Sequence, residues 1–126
     1  MRPIEFRGKS TAAGEWMYGD LVMYGDSAQI WTQTDNGKWN AIVDPETVGQ
    51  FTGQLDENDV KLFEGDFVKY AERFDIDGVY EVGFTDTSMC FALYNEYTIC
   101  DYFSDIGSND LIVVGNIYDN DWEEFR

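Results

Sequence analysis

The chain has 126 residues, 44% of them apolar and 17% aromatic, and its 25 acidic and eight basic side chains give a net charge of −17 with no histidine. That length makes one domain, 1–126, with enough apolar residues for a real core. It holds no apolar run near the ~20 residues of a membrane span. Absence of histidine removes the usual proton shuttle and metal ligand, and scarce Lys and Arg argue against direct nucleic-acid binding. The opening Met1-Arg2-Pro3-Ile4-Glu5 has no apolar signal stretch, so the expected location is cytoplasmic.

In chain order, Pro3–Lys9 alternates, with Ile4 and Phe6 on one side and Glu5 and Arg7 on the other, and reads as a strand. Glu15–Tyr24 is a second strand, bent at Gly19 and anchored by Trp16. Ala28–Gln33 and Lys38–Val43 flank Asp35-Asn36-Gly37, a strong hairpin signal, and this pairing would bring Trp31 near Trp39. Asp44-Pro45-Glu46-Thr47 reads as a turn opening one helical turn, with Pro45 in the first position and Asp44 capping it. Gly49 and Gly53 around Gln50-Phe51-Thr52 suggest a loop of positive φ or close approach, pinning Phe51 into the core. Asp56-Glu57-Asn58-Asp59 is a polar turn with Asn58 suited to the left-handed region. In Phe63-Glu64-Gly65-Asp66-Phe67-Val68, Gly65 bends the chain, and Asp66 is placed to accept bonds from backbone N–H groups beyond it.

Phe67–Phe74 then reads as a strand and Asp75-Ile76-Asp77-Gly78 as a turn. Val79–Thr85 and Ser88–Tyr94 form a hairpin around Asp86-Thr87, with Tyr80, Val82, Phe84, Met89, Phe91 and Leu93 facing inward. Tyr97–Phe103 reads as a strand or one helical turn, and Ser104–Asp110 as loop. Leu111–Tyr118 is a last strand, apolar enough for burial on both faces. Asp119–Arg126 is an acidic tail that docks through Trp122 or frays. Short strands and glycine-marked turns indicate an all-β barrel or sandwich; a helix over Tyr97–Ile106 would make it α+β.

Gly19-Asp20-Leu21-Val22 and Gly65-Asp66-Phe67-Val68 share Gly-Asp-apolar-Val. The match is too short for a duplication and reads as one solution, used twice, for entering a strand after a tight turn. Cys90 and Cys100 lack metal-ligand spacing and read as two reduced, buried thiols. Asp75-Ile76-Asp77 and Asp119-Asn120-Asp121 lack the spacing of a calcium loop and read as solvated turns. No side chain is placed to activate either thiol. The chain is therefore expected not to be an enzyme and to carry no cofactor, metal or catalytic residue.

Charge is graded along the chain. Residues 1–43 carry a net −1, residues 44–73 a net −5 and residues 74–126 a net −11. Such a gradient suggests one strongly negative face or end.

Several stretches resemble the YopX family of small phage and prophage proteins. They are Val43-Asp44-Pro45-Glu46-Thr47-Val48-Gly49-Gln50-Phe51-Thr52-Gly53 and Phe63-Glu64-Gly65-Asp66-Phe67-Val68, supported by Ile4–Lys9, Gly14–Leu21 and Val114–Asn120. Asn58-Asp59 stands where family members often carry an Asn-Gly turn. The resemblance implies an SH3-like barrel of short antiparallel strands with long loops and at most one short helix. It implies phage origin and no known activity, and it marks Asp44, Pro45, Gly49, Gly53, Gly65 and Asp66 as the structural motif. The functional expectation is a non-catalytic interaction module in the host bacterial cytoplasm, with a host or phage protein as partner, no membrane, and homo-oligomers left open. The candidate contact residues are Asp119, Asp121, Trp122, Glu123 and Glu124. The alternative is an acidic mimic of DNA that occupies the basic groove of a host DNA-binding protein.

Overall fold

A computed structural model describes residues 4–34, 37–71, 78–85, 90–95, 99–102 and 110–125. The turn residues Asp35, Asn36, Asp75–Asp77, Asp86 and Thr87, with Met89, Tyr97 and most of the 104–110 loop, lie outside them. The chain divides into two compact units, Met1–Phe51 and Thr52–Arg126.

In the first unit, β1 (Phe6–Lys9), β2 (Trp16–Tyr24), β3 (Ser27–Thr34), β4 (Gly37–Val43) and the start of β5 (Gly49–Leu55) lie in the order β4-β3-β2-β1-β5. Every described pairing is antiparallel. β2 is shared along its length: Trp16–Gly19 pairs with β1 and Asp20–Tyr24 with β3. Alternation sends Ala28, Ile30 and Val43 into a small core, with Phe6, Met17, Leu21 and Val48 packed on it.

In the second unit, β5 continues beside β6 (Lys61–Phe63). A second sheet holds β7 (Asp66–Tyr70), β8 (Tyr80–Thr85), β9 (Cys90–Tyr94), β10 (Ile99–Tyr102) and β11 (Leu111–Asn116) in the order β10-β9-β8-β7-β11. Its core is Leu62, Val68, Val82, Leu93 and Leu111, flanked by Tyr70, Tyr80 and Val113.

The fold is all-β, but the expected SH3-like barrel is corrected: the sheets are open. Both strand orders end in strands that the order pairs on one side only. At the free edge of β4 a single bridge, Ser10↔Val43, and the bond from Thr11 N to Ile42 O make a corner, not a ladder. A barrel needs a continuous ladder there. Among the described residues two short 3-10 turns, Pro45–Thr47 and Trp122–Phe125, stand where at most one short helix was expected.

Four local expectations change as well. Gly49–Leu55 is a strand, not a loop: β1 on one side and β6 on the other supply its ladder, so Gly53 keeps φ +87° inside it. Trp31 and Trp39 do not meet, because Trp31 pairs with Asn40 and Thr32 with Trp39, which puts the two indoles on opposite faces. Phe84 lies at the outer end of its row, 40% exposed, with its ring 5.4 Å from Phe91. Of the last strand only Leu111 is fully buried.

Candidate interaction surface

The family-motif residues shape backbone. Asp44 Oδ1 accepts from Glu46 N at 3.0 Å, and Pro45 opens the 3-10 turn. Buried Thr47 donates to Asp44 O and accepts from Lys9 N, tying this turn to β1. Gly49 opens β5 opposite Arg7. Gly65 takes φ +92° in the turn between β6 and β7, and its N–H donates to Val82 O. Asp66 is buried and accepts from Phe63 N at 2.8 Å. This bond reaches back across the turn.

One acceptor of equal weight is missed by sequence reading. Asp56 is only 2% exposed, and its oxygens accept from Asn58 N, Val60 N and Val113 N at 2.8, 2.9 and 3.0 Å. The left-handed position in that turn belongs to Asp59, φ +62°, and not to Asn58. An Asp opening a polar turn is the available signal, but the distant Val113 partner has no local trace.

The tail candidates come together in one segment. Asn116 and Asn120 organise it: Asn116 Oδ1 accepts from Tyr118 N and Asp119 N, while Asn120 Oδ1 accepts from Asn116 N. Trp122 and Phe125 set their rings edge-on to Phe67 at 4.8 and 5.2 Å. The tail thus docks, and Trp122 serves internal packing. Asp119, Asp121, Glu123 and Glu124 are exposed. Asp119 accepts from the Asn116 amide, and Glu124 accepts from Asp121 N at 2.6 Å; both carboxylates thereby also hold local structure.

A different surface is the more apolar. On the β2–β3–β4 sheet, the face opposite the first unit's core carries two cross-strand rows. Asp20, Trp31 and Asn40 form one, and Val22, Gln29 and Ile42 the other. Ile42 is 56% exposed, and Tyr18 and Tyr24 on β2 alternate to this same face and are exposed too. The indole N–H of Trp31 and the side-chain amide of Asn40 both donate to Gln29 Oε1, at 3.1 and 3.0 Å. The bond to Gln29, two residues back on the same strand, directs the indole along β3. Further along the face, the guanidinium of Arg7 sits 4.6 Å from the centre of the Trp16 ring and the Lys9 ammonium 5.6 Å from it.

Cys90 is half-buried and Cys100 exposed, and neither is in a disulfide. The expected burial fails for Cys100 because it falls in the register shift between Ile99 and Asp101. Among the described residues, no group of three or more Cys, Asp and Glu stands together as a metal site, and no helix is long and apolar enough to cross a membrane. Burial raises the carboxyl of Glu81 above its ordinary range.

No curated protein matches the chain. A crystal structure of protein EF1440 from Enterococcus faecalis is similar with a TM-score of 0.54 and 21% identity, covering 95% of this chain and 96% of that one; at that identity the likeness shows the fold alone. The YopX protein family matches residues 5–121, a span that takes in the Asp44 turn, the Gly65-Asp66 turn and the Asn116–Asn120 segment, and the chain belongs to that family.

Proposed function

We propose that this protein is a non-catalytic interaction module of phage or prophage origin, acting in the host cytoplasm on a host or phage protein. The observation that carries the reading is the β2–β3–β4 face, where Tyr18, Tyr24, Trp31 and Ile42 are exposed beside one another. Trp and Tyr are enriched in protein interfaces, and a few of them dominate binding energy. The alternative, a DNA mimic, draws on the four exposed tail acids and on the net −11 beyond residue 73.

The test is a pull-down from bacterial lysate at low and high salt, with purified partners then assayed singly. The module reading expects a protein retained at both salts and lost on Tyr24→Ser with Ile42→Ser. The mimic reading expects a DNA-binding protein lost steeply with salt, displaced by duplex DNA, and lost when Asp119, Asp121, Glu123 and Glu124 become Asn and Gln. Retention that ignores the face and follows the tail overturns the module reading.

A further inference from the structure

The face named above treats its two indoles differently. Trp16 is covered by cations of this same chain, Arg7 and Lys9. Trp31 is not: among the described residues its polar partner is Gln29, and no described cationic group lies on it. Directly across the strand pair from Trp31 stands Asp20, exposed and with no hydrogen-bond or ion-pair partner among the described residues. Cross-strand partners hold their Cβ atoms about 5 Å apart. A partly exposed indole and a carboxylate without a described partner are therefore neighbours, with Tyr18 exposed two residues before Asp20.

We propose that Asp20 and Trp31 form a receptor for a basic side chain, arginine before lysine, on the partner protein. This rests on the module reading and names the chemistry of its partner. A guanidinium laid on the Trp31 ring gains the ring's quadrupole and donates to the Asp20 carboxylate in the same pose, which an ammonium does less well. Trp31 is held for this by its bond to Gln29. The chain's net charge of −17 draws a basic segment in and opposes an acidic one. The contact completes at Trp31 the cation-on-indole arrangement that Arg7 makes at Trp16 within the chain.

The probe is a capped tetra-arginine peptide, with tetralysine as control, titrated into the full-length protein and followed by backbone and indole N–H chemical shifts. The expected result is a perturbation centred on Asp20, Gln29 and the Trp31 indole, weaker for tetralysine. Asp20→Asn and Trp31→Leu should each weaken arginine binding about tenfold. Asp20→Asn changes an exposed side chain and keeps the fold testable if Trp31→Leu does not. Shifts centred on Asp119–Glu124, equal response to both peptides, or binding indifferent to Asp20→Asn overturn the receptor. A partner still captured through Tyr24 and Ile42 in that case leaves the module reading standing, so the two failures are distinguishable.

Discussion

Gly19-Asp20-Leu21-Val22 and Gly65-Asp66-Phe67-Val68 are nearly the same string used in two different ways. Gly65 lies in a turn joining β6 to β7, and Asp66 behind it is buried with its carboxyl bound back to Phe63 N. Gly19 lies inside a nine-residue strand, at the point where β2 leaves β1 and takes β3. A Cβ at Gly19 would collide with the backbone carbonyl of Trp31, and Asp20 is left exposed. In both, the glycine answers a backbone demand, conformational at Gly65 and both conformational and steric at Gly19. The aspartate is structural in one and available in the other. The difference comes from what packs on the string, not from the string.

Substitutions sharpen this contrast in order of size. Gly19→Val should cost the most, about 3–4 kcal/mol, because φ +156° and the Trp31 carbonyl together demand a backbone shift. Denaturant midpoints measure it, and a loss below that of Gly65→Val would show that the β2 crossover yields easily. Asp66→Ala should cost about 2–3 kcal/mol, leaving the N–H of Phe63 buried without its acceptor. Gly65→Val should cost about 1–3 kcal/mol through positive φ alone; an unchanged midpoint would contradict its left-handed conformation.

What the sequence discloses follows the range of the interaction. The β3–β4 and β8–β9 hairpins are legible because alternation and turn residues are local signals. The cap on Pro45 is legible for the same reason. Trp31 and Trp39 are misplaced by one residue of register, which in a strand reverses the face. β5 is illegible because two glycines argue against a strand until β1 and β6 flank it. Asp56 is illegible because one of its donors, Val113, lies 57 residues away. The candidate face hides for a related reason: Tyr18, Asp20, Trp31 and Ile42 come from three strands, and only their pairing makes them one face.

The strand that follows the buried step provides a smaller, pH-dependent effect. Glu81 pairs with Phe67, and burial raises its carboxyl above the ordinary range. A raised folded-state pKa means that the ionised form is the one disfavoured by folding. The stability associated with Glu81 is thus full below its unfolded-state pKa, about 4.3, and falls as pH rises through the higher folded value. Glu81→Gln should remove that decline, so the variant gains on the wild type over the window that opens near the unfolded-state pKa of about 4.3 and closes above the raised folded value. Thermal melts across that window measure it, and a constant difference would place the carboxyl in ordinary solvent. Glu81 is partly exposed, so the gain is small.

The smallest effect on stability is expected at the other aspartate. Asp20 has no hydrogen-bond or ion-pair partner among the described residues to lose, so Asp20→Asn should move the denaturant midpoint by no more than about 0.5 kcal/mol. The matched change Asp66→Asn should be felt, because an amide set in place of the carboxyl brings an N–H₂ donor into a buried site that holds the Phe63 N–H, also a donor. Two identical substitutions in nearly identical strings would then separate cleanly, one in folding and one in binding of an arginine peptide. If Asp20→Asn instead unfolds the protein as Asp66→Asn does, Asp20 is a hidden support of the β2 crossover, and the contrast drawn between the two steps collapses. A retained fold with lost arginine binding assigns the exposed aspartate to recognition.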